Sequence, residues 1–312
     1  MLTIFSIPKP FCGHIEIIQR NALRSWTLLR PRPEILLFGN DEGVADAARR
    51  LDVLHIPDVA RNEYGTPLLN DVFEKAGRLA THDLLCFVNA DIILMNDLLD
   101  AVRHAAARKR QFLVVGQRWN MDIPEALDFC TDWESGLRAK MAAQGRLEAD
   151  DGIDYFAFPR RIDWQIPPFA IGRTVWDNWL IYRARVLGLS VIDATEAVTA
   201  VHQVHDYSHV LPVAKAADVW KGPEAIRNLQ LAGGREHIFT LQDATYSLSP
   251  GGLRRTLGRK NLRRALETLP TLSPYLALPA WVVRKFISAL KRIGKGIRRT
   301  WNSKEAGADV KP

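Results

Sequence analysis

Across residues 1–115 the chain alternates between two hydrophobic periods, and this alternation constrains the fold more than any other feature. Apolar runs at 2–7, Glu34–Phe38, 83–88 and Phe112–Val115 have the length and residue types of strands. Amphipathic stretches at 15–29, 44–50, 67–79 and Asp97–Arg108 fall between them and carry the helical repeat. Strands and helices in strict alternation predict a mostly parallel sheet with helices packed on it. The chain has 312 residues and 47% hydrophobic content, enough for a large core.

The third apolar run ends abruptly. In 83–94 the residues Leu-Leu-Cys-Phe-Val give way to Asn89-Ala90-Asp91, and apolar residues resume. A buried parallel strand reads this way, with polar side chains at its carboxyl end, where open α/β sheets bind ligands. Asn89 and Asp91 are two apart and point to one side of the chain. Such an oxygen-rich pair suits a hard divalent cation bridging to a diphosphate. No G-x-G-x-x-G follows the first strand and no Walker sequence is present, which argues against a dinucleotide site and a P-loop. Cys12, Cys86 and Cys130 are scattered, with no C-x-x-C pair, so neither a disulfide framework nor a zinc ribbon is implied. Cys86 reads as a small core residue.

Beyond residue 116 the periodicity is less regular. Residues 117–154 mix Trp with acidic residues, and Glu148, Asp150, Asp151 and Asp154 read as a solvated loop. A short strand is expected at 155–160, then a proline loop at 165–169 and a helix over 174–187 with Thr174 as its cap. Strands are expected at 190–193 and 197–202, and helices over 222–270.

Charge is unevenly spread. From Arg254 onward 15 Lys/Arg stand against 3 Asp/Glu, while the remainder is mildly acidic. Val282, Phe286, Leu290, Ile293, Ile297 and Trp301 recur at helical spacing, and most of the nearby Lys and Arg lie off that stripe. A basic amphipathic helix ending in Trp suits an anionic membrane surface. The N-terminus enters a strand directly and no apolar run has spanning length, so the expected location is cytoplasmic, peripheral on the inner face of the cell membrane. No nucleic-acid recognition module accompanies the charge.

In motif order, residues 1–205 resemble the GT-A nucleotide-diphosphosugar transferases, closest in layout to glycosyltransferase family 2. The motifs are the first strand, Asp41 in Phe38-Gly39-Asn40-Asp41, the 61–65 segment Arg-Asn-Glu-Tyr-Gly with Asn70 beyond, Asn89-Ala90-Asp91, the 172–183 element containing Trp176-Asp177, and the late His202 and His205. Two positions depart from the family pattern: Asn89 stands for the first acid of D-x-D, and Trp176 for the Glu of the Glu-Asp pair.

The resemblance implies a GT-A-like, Rossmann-type sheet flanked by helices, with a C-terminal helical extension. It implies an enzyme that moves a sugar from a nucleotide-diphosphosugar donor to a glycan or lipid-linked acceptor in surface glycan synthesis, with Mn2+ or Mg2+ as cofactor. Asp91, His202 and His205 would hold the metal. Ile7, Asp41, Arg61, Asn62, Asn70 and Asn89 would hold the donor. Asp177 would act as general base of an inverting displacement, and Trp176 and Trp179 would offer faces to the acceptor sugar. The expected division is a catalytic domain over 1–215 (nucleotide-binding half 1–116, acceptor half 117–215), a helical packing region 216–270, the basic helix 271–302 and a disordered tail 303–312. Two rival readings are a sugar-nucleotide nucleotidyltransferase and a non-catalytic, membrane-associated module that keeps the fold. Pro8-Lys9-Pro10 after the first strand does not look like the Gly-rich basic loop of a nucleotidyltransferase.

Overall fold

The protein is described here by a computed structural model, which covers residues 1–205 and 221–273. Its first half runs β1 (Leu2–Ser6), α1 (Gly13–Leu28), β2 (Glu34–Phe38), α2 (Val44–Leu51), β3 (Leu54–Ile56), α3 (Leu69–Leu79), β4 (Leu84–Val88), β5 (Ile92–Leu94), α4 (Asp97–Arg108) and β6 (Phe112–Val115). There follow β7 (Trp119–Met121), α5 (Trp133–Gln144), β8 (Arg146–Leu147), β9 (Tyr155–Pro159), α6 (Trp176–Val186), β10 (Ser190–Asp193) and β11 (Ala200–Gln203). After the undescribed segment come α7 (Pro223–Leu231), β12 (Tyr246–Ser249), β13 (Gly252–Arg255) and α8 (Arg259–Leu272).

The strands form two sheets. The larger has the order β13-β12-β10-β6-β9-β4-β1-β2-β3 and the smaller β5-β11-β7-β8. In the larger, β4, β1, β2 and β3 are mutually parallel, as are β6, β10 and β12. β9 runs antiparallel between β4 and β6 and joins the two parallel groups.

Both faces of the large sheet are buried. On one, Ile4, Leu37, Cys86, Val88, Ala157 and Val114 pack against Ala22, Leu23 and Trp26 of α1, Val44 and Ala47 of α2, and Leu98 and Val102 of α4. The alternate residues Phe5, Phe38, Phe87 and Phe158 point to the other face, where they meet Phe73 of α3 and one another edge-on or stacked. This two-sided burial explains why the strands read as continuous apolar runs. Cys86 is buried in this core and burial pushes its thiol up to about 12, so it is an inert packing residue. Gly116, just past β6, is required by a close approach: a Cβ there would overlap the Tyr155 hydroxyl.

Several expectations are corrected. Residues 222–270 are not helical throughout, because β12 and β13 form a hairpin that extends the large sheet beyond β10. Thr174 does not cap α6. The N-cap is Val175, and the Thr174 hydroxyl makes no hydrogen bond among the described residues. Pro67 lies before α3, in a bridge to Arg61.

The chain divides into two compact units, Met1–Thr256 and Leu257–Pro312. In the second, α8 is the described element. The basic helix expected at 271–302 and the tail at 303–312 lie outside the described residues, apart from 271–273. Among the described residues no helix is long and apolar enough to cross a membrane.

Candidate metal and nucleotide site

Past the carboxyl ends of β1 and β4, at the small sheet, the chain brings together the ionisable side chains of Lys9, Asp91, His202 and His205. Asp91 lies between β4 and β5. β11 pairs with β5 on one side and with β7 on the other, so His202 stands opposite Ile92 and in register with Asn120. Gln203, fully buried, ties the end of β11 to the Asp91 carbonyl and to the Ile18 carbonyl of α1. Residues more than one hundred positions apart are therefore fixed by sheet register.

Asp91, His202 and His205 place their ligand atoms within 4.8 Å of one another. Asp91 Oδ2 is 3.8 Å from His202 Nε2 and 3.9 Å from His205 Nε2. Those gaps are too long for a hydrogen bond. They suit two ligands that each contact one ion at about 2.1 Å.

The hydrogen bonds assign the tautomers. His205 Nδ1 lies 3.0 Å from the Gln203 carbonyl, an acceptor only, so Nδ1 carries the proton. Asn120 Nδ2 donates to Glu148 Oε2 at 2.6 Å, which orients the amide. Its Oδ1 then accepts from His202 Nδ1 at 3.0 Å. Both neutral imidazoles thus turn an Nε2 lone pair toward a carboxylate oxygen, with the Lys9 ammonium 3.4 Å from the His205 nitrogen, and the arrangement suits a cation between them. Asp91 Oδ1 is also buried without a hydrogen-bond partner among the described residues.

The ionisation states fit as well. Burial pushes His202 and His205 below the usual histidine value, which keeps them neutral as ligands require. For Asp91 burial acts upward; the His202 and His205 imidazoles whenever protonated, together with Lys9 and Arg118, act against it and hold the carboxyl below its ordinary value. Glu148 is lowered by the Ala149 amide and by Asn120, so it remains a carboxylate behind the Asn120–His202 link.

A second group flanks the first. Asp154 is 5% exposed, pairs with Arg118 and accepts from the Asn89 side-chain amide. Antiparallel pairing of β4 with β9 causes this, because Val88 lies opposite Tyr155 and the next residue on each strand end meets the other. Asp154 and Arg118 in turn act on Asp177. Asp177 sits in the first turn of α6 and is half-buried; burial, with Asp154 adding to it, raises its pKa to about 7. The preceding Val175 has φ 96°, a rare conformation for a β-branched residue that sets the entry angle of α6.

The expected donor residues divide into two sets. Ile7 and Asp41 converge at Gly39, where a Cβ would lie 3.6 Å from Ile7 and 3.7 Å from Asp41. Arg61 joins them through a 3.0 Å ion pair to Asp41. Asn62 is occupied locally: its Oδ1 accepts from the Tyr64 and Thr66 amides and its Nδ2 donates to Glu224. Asn70 Oδ1 is buried without a partner among the described residues. Arg61, Asn62 and Glu224 line a cavity of about 260 Å³.

Trp176 and Trp179 depart from expectation. They are 4% and 6% exposed. Trp176 packs on Phe87 and Phe156, and Trp179 on Phe169 and Tyr182. Neither offers an open face to a sugar, because Trp176 is packed on the sheet and Trp179 under the Phe169 loop. Asp154 and Glu148 also depart from the solvated-loop reading, and Lys9, Arg118 and Asn120 were not foreseen. A polar residue directly before the 155–160 strand was the available signal for Asp154.

No protein-family model matches the chain, and no curated protein does. Solved structures that it resembles include the mannosyltransferase PcManGT from Pyrobaculum calidifontis in complex with GDP-Man and Mn2+. That match has 14% identity and a TM-score of 0.41, over 98% of this chain and 84% of that one. Another is glucosyl-3-phosphoglycerate synthase from Mycobacterium tuberculosis with Mn2+, UDP and glucosyl-3-phosphoglycerate, at 14% identity and TM-score 0.44 over 75% and 80% of the two chains. A third is S. aureus TarS with UDP-GlcNAc, at 10% identity and TM-score 0.43 over 74% and 70%. Likenesses this distant do not decide an activity, and the functional reading stands on the site itself.

Proposed function

We propose that this protein is a metal-dependent glycosyltransferase that moves a sugar from a nucleotide-diphosphosugar donor to a hydroxyl of a glycan or lipid-linked acceptor. The observation that carries the reading is the Asp91–His202–His205 trio, two imidazole lone pairs aimed at one buried carboxylate at the carboxyl edge of a parallel sheet. A divalent cation held there supplies Lewis-acid neutralisation of a leaving diphosphate. The two imidazoles favour Mn2+ over the harder Mg2+. Ile7, Asp41 and Arg61 form the side of the site suited to the nucleoside, with a carboxylate for ribose hydroxyls and a guanidinium that can lie on a base.

Asp177 fits a general base. Its pKa near 7 matches the task of taking a proton from an acceptor hydroxyl at neutral pH. With Asp177 as the base that takes the acceptor proton, the reaction is a single displacement with inversion. The basic sequence after Thr256 supports attachment to an anionic membrane surface, which would suit a lipid-linked acceptor in surface glycan synthesis.

The test is a calorimetric titration of UDP, GDP, CDP and dTDP into the purified protein, with and without Mn2+, repeated with Asp91→Ala. The expected result is metal-dependent binding of one diphosphate by the wild type, lost in the variant. Binding that ignores both the metal and the substitution would refute the reading.

A further inference from the structure

Lys9 acts on Asp91 as a neighbouring positive charge, and its own placement is fixed by the chain around it. It lies three residues past β1, between Pro8 and Pro10. Each proline fixes φ and removes an amide donor. The Lys9 amide donates to Gln19 Oε1 at 2.6 Å, and Gln19 Nε2 returns a 2.8 Å bond to the Lys9 carbonyl. Gln19 is itself buried on α1, so the backbone of Lys9 is clamped from both sides.

The side chain reaches into the metal site. Lys9 Nζ is 3.4 Å from His205 Nε2, the nitrogen that also faces Asp91. Among the described residues Lys9 forms no ion pair. Burial holds its pKa below the usual lysine value; the carboxylates Asp91 and Asp154 act against this from beyond ion-pair distance, and Arg173, itself bridged to Glu224 at 2.6 Å, adds to it. A divalent cation in the trio would take up the Asp91 charge and leave the ammonium beside a second positive centre. Such a pair of positive centres is stabilised by an anion of several charges that touches both. A diphosphate, with non-bridging oxygens on two phosphorus atoms, meets that requirement: one set faces the ion and the other remains for an ammonium.

We propose that Lys9 is a diphosphate-binding residue, whose ammonium holds a phosphate oxygen of the donor next to the metal-held oxygens. This rests on the transferase reading above and adds a protein group that the motif order does not supply.

The test uses full-length Lys9→Met and Lys9→Arg beside the wild type. Mn2+ affinity is read first without nucleotide, by electron paramagnetic resonance of free Mn2+. Affinity for the best-bound diphosphate of the UDP, GDP, CDP and dTDP panel is then read at saturating Mn2+. For Lys9→Met we expect Mn2+ binding as tight as wild type or tighter, because a repelling charge is gone, and diphosphate binding weaker by about ten- to a hundredfold. Lys9→Arg restores most of the diphosphate affinity. The opposed signs separate ligand binding from a merely structural role, which would weaken both. Equal diphosphate affinity in wild type and Lys9→Met overturns the inference and leaves the transferase reading standing. So does loss of Mn2+ binding in Lys9→Met together with failure of Lys9→Arg to restore diphosphate binding. A wild type that binds Mn2+ but no diphosphate overturns both.

Discussion

Burial of Asp177, with Asp154 as a like-charged neighbour, raises its pKa to about 7, and function and stability respond to this in opposite directions. The base form grows as pH rises through about 7. Transfer is therefore expected to be about tenfold slower at pH 6 than on a plateau above pH 8. Asp177→Asn is expected to lower the rate by about 10²–10⁴-fold at every pH. For stability, a carboxyl with a raised folded pKa disfavours the folded state progressively as pH climbs from the ordinary carboxylate value to about 7, and fully above it. Asp177→Asn removes that cost. Its melting temperature should exceed that of the wild type at pH 8, and the difference should shrink as pH falls toward 5. Thermal melts and pH–rate profiles check both. An active Asp177→Asn, or a rate that does not change between pH 6 and 8, would remove Asp177 as the base.

Strand register builds the candidate metal site. β11 lies between β5 and β7, so His202 meets Asp91 on one side and Asn120 on the other. The Glu148–Asn120–His202 chain fixes which imidazole nitrogen faces Asp91. Such outer hydrogen bonds tune metal affinity through ligand orientation. Asn120→Leu, with a side chain of similar size and no acceptor, should keep the circular dichroism spectrum and weaken Mn2+ binding by about 10–100-fold. Unchanged Mn2+ affinity would show that the link is incidental. The short strands β5, β7 and β8 are two or three residues each, too short to display a period in the sequence. The β12–β13 hairpin was missed for a related reason: its strands are four residues each and little buried, and they gain their geometry from the pairing of β12 with β10 and of β13 with β12.

At the scale of the molecule, the trio, Asp154, Asp177, Lys9 and the Asp41–Arg61 pair all belong to the unit Met1–Thr256. The sequence after Thr256 carries 13 Lys/Arg and 3 Asp/Glu. A chain ending at Thr256 should bind Mn2+ and diphosphate as the full chain does. It should lose sedimentation with phosphatidylglycerol vesicles, and high salt should release the full chain from them. Equal sedimentation of the two chains would remove the tail as the membrane-binding segment.

The strand–helix alternation of residues 1–115 was determined by the sequence, because apolar periodicity is a local property that burial on both faces of the sheet enforces. The same holds for the polar break after β4, which marked Asn89 and Asp91, and for the late histidines, whose place in motif order pointed to a metal. What those residues touch was decided by tertiary structure. Asp154 joined the site because β9 runs antiparallel to β4 and brings two strand ends together. Lys9 joined it because a buried glutamine on α1 clamps its backbone beside the histidines. Trp176 and Trp179 left it because α6 docks that face on the aromatic core. Each of these depends on pairing or packing between segments distant in the chain. Such contacts are chosen by the whole fold's burial and hydrogen bonding, not by the residues on either side.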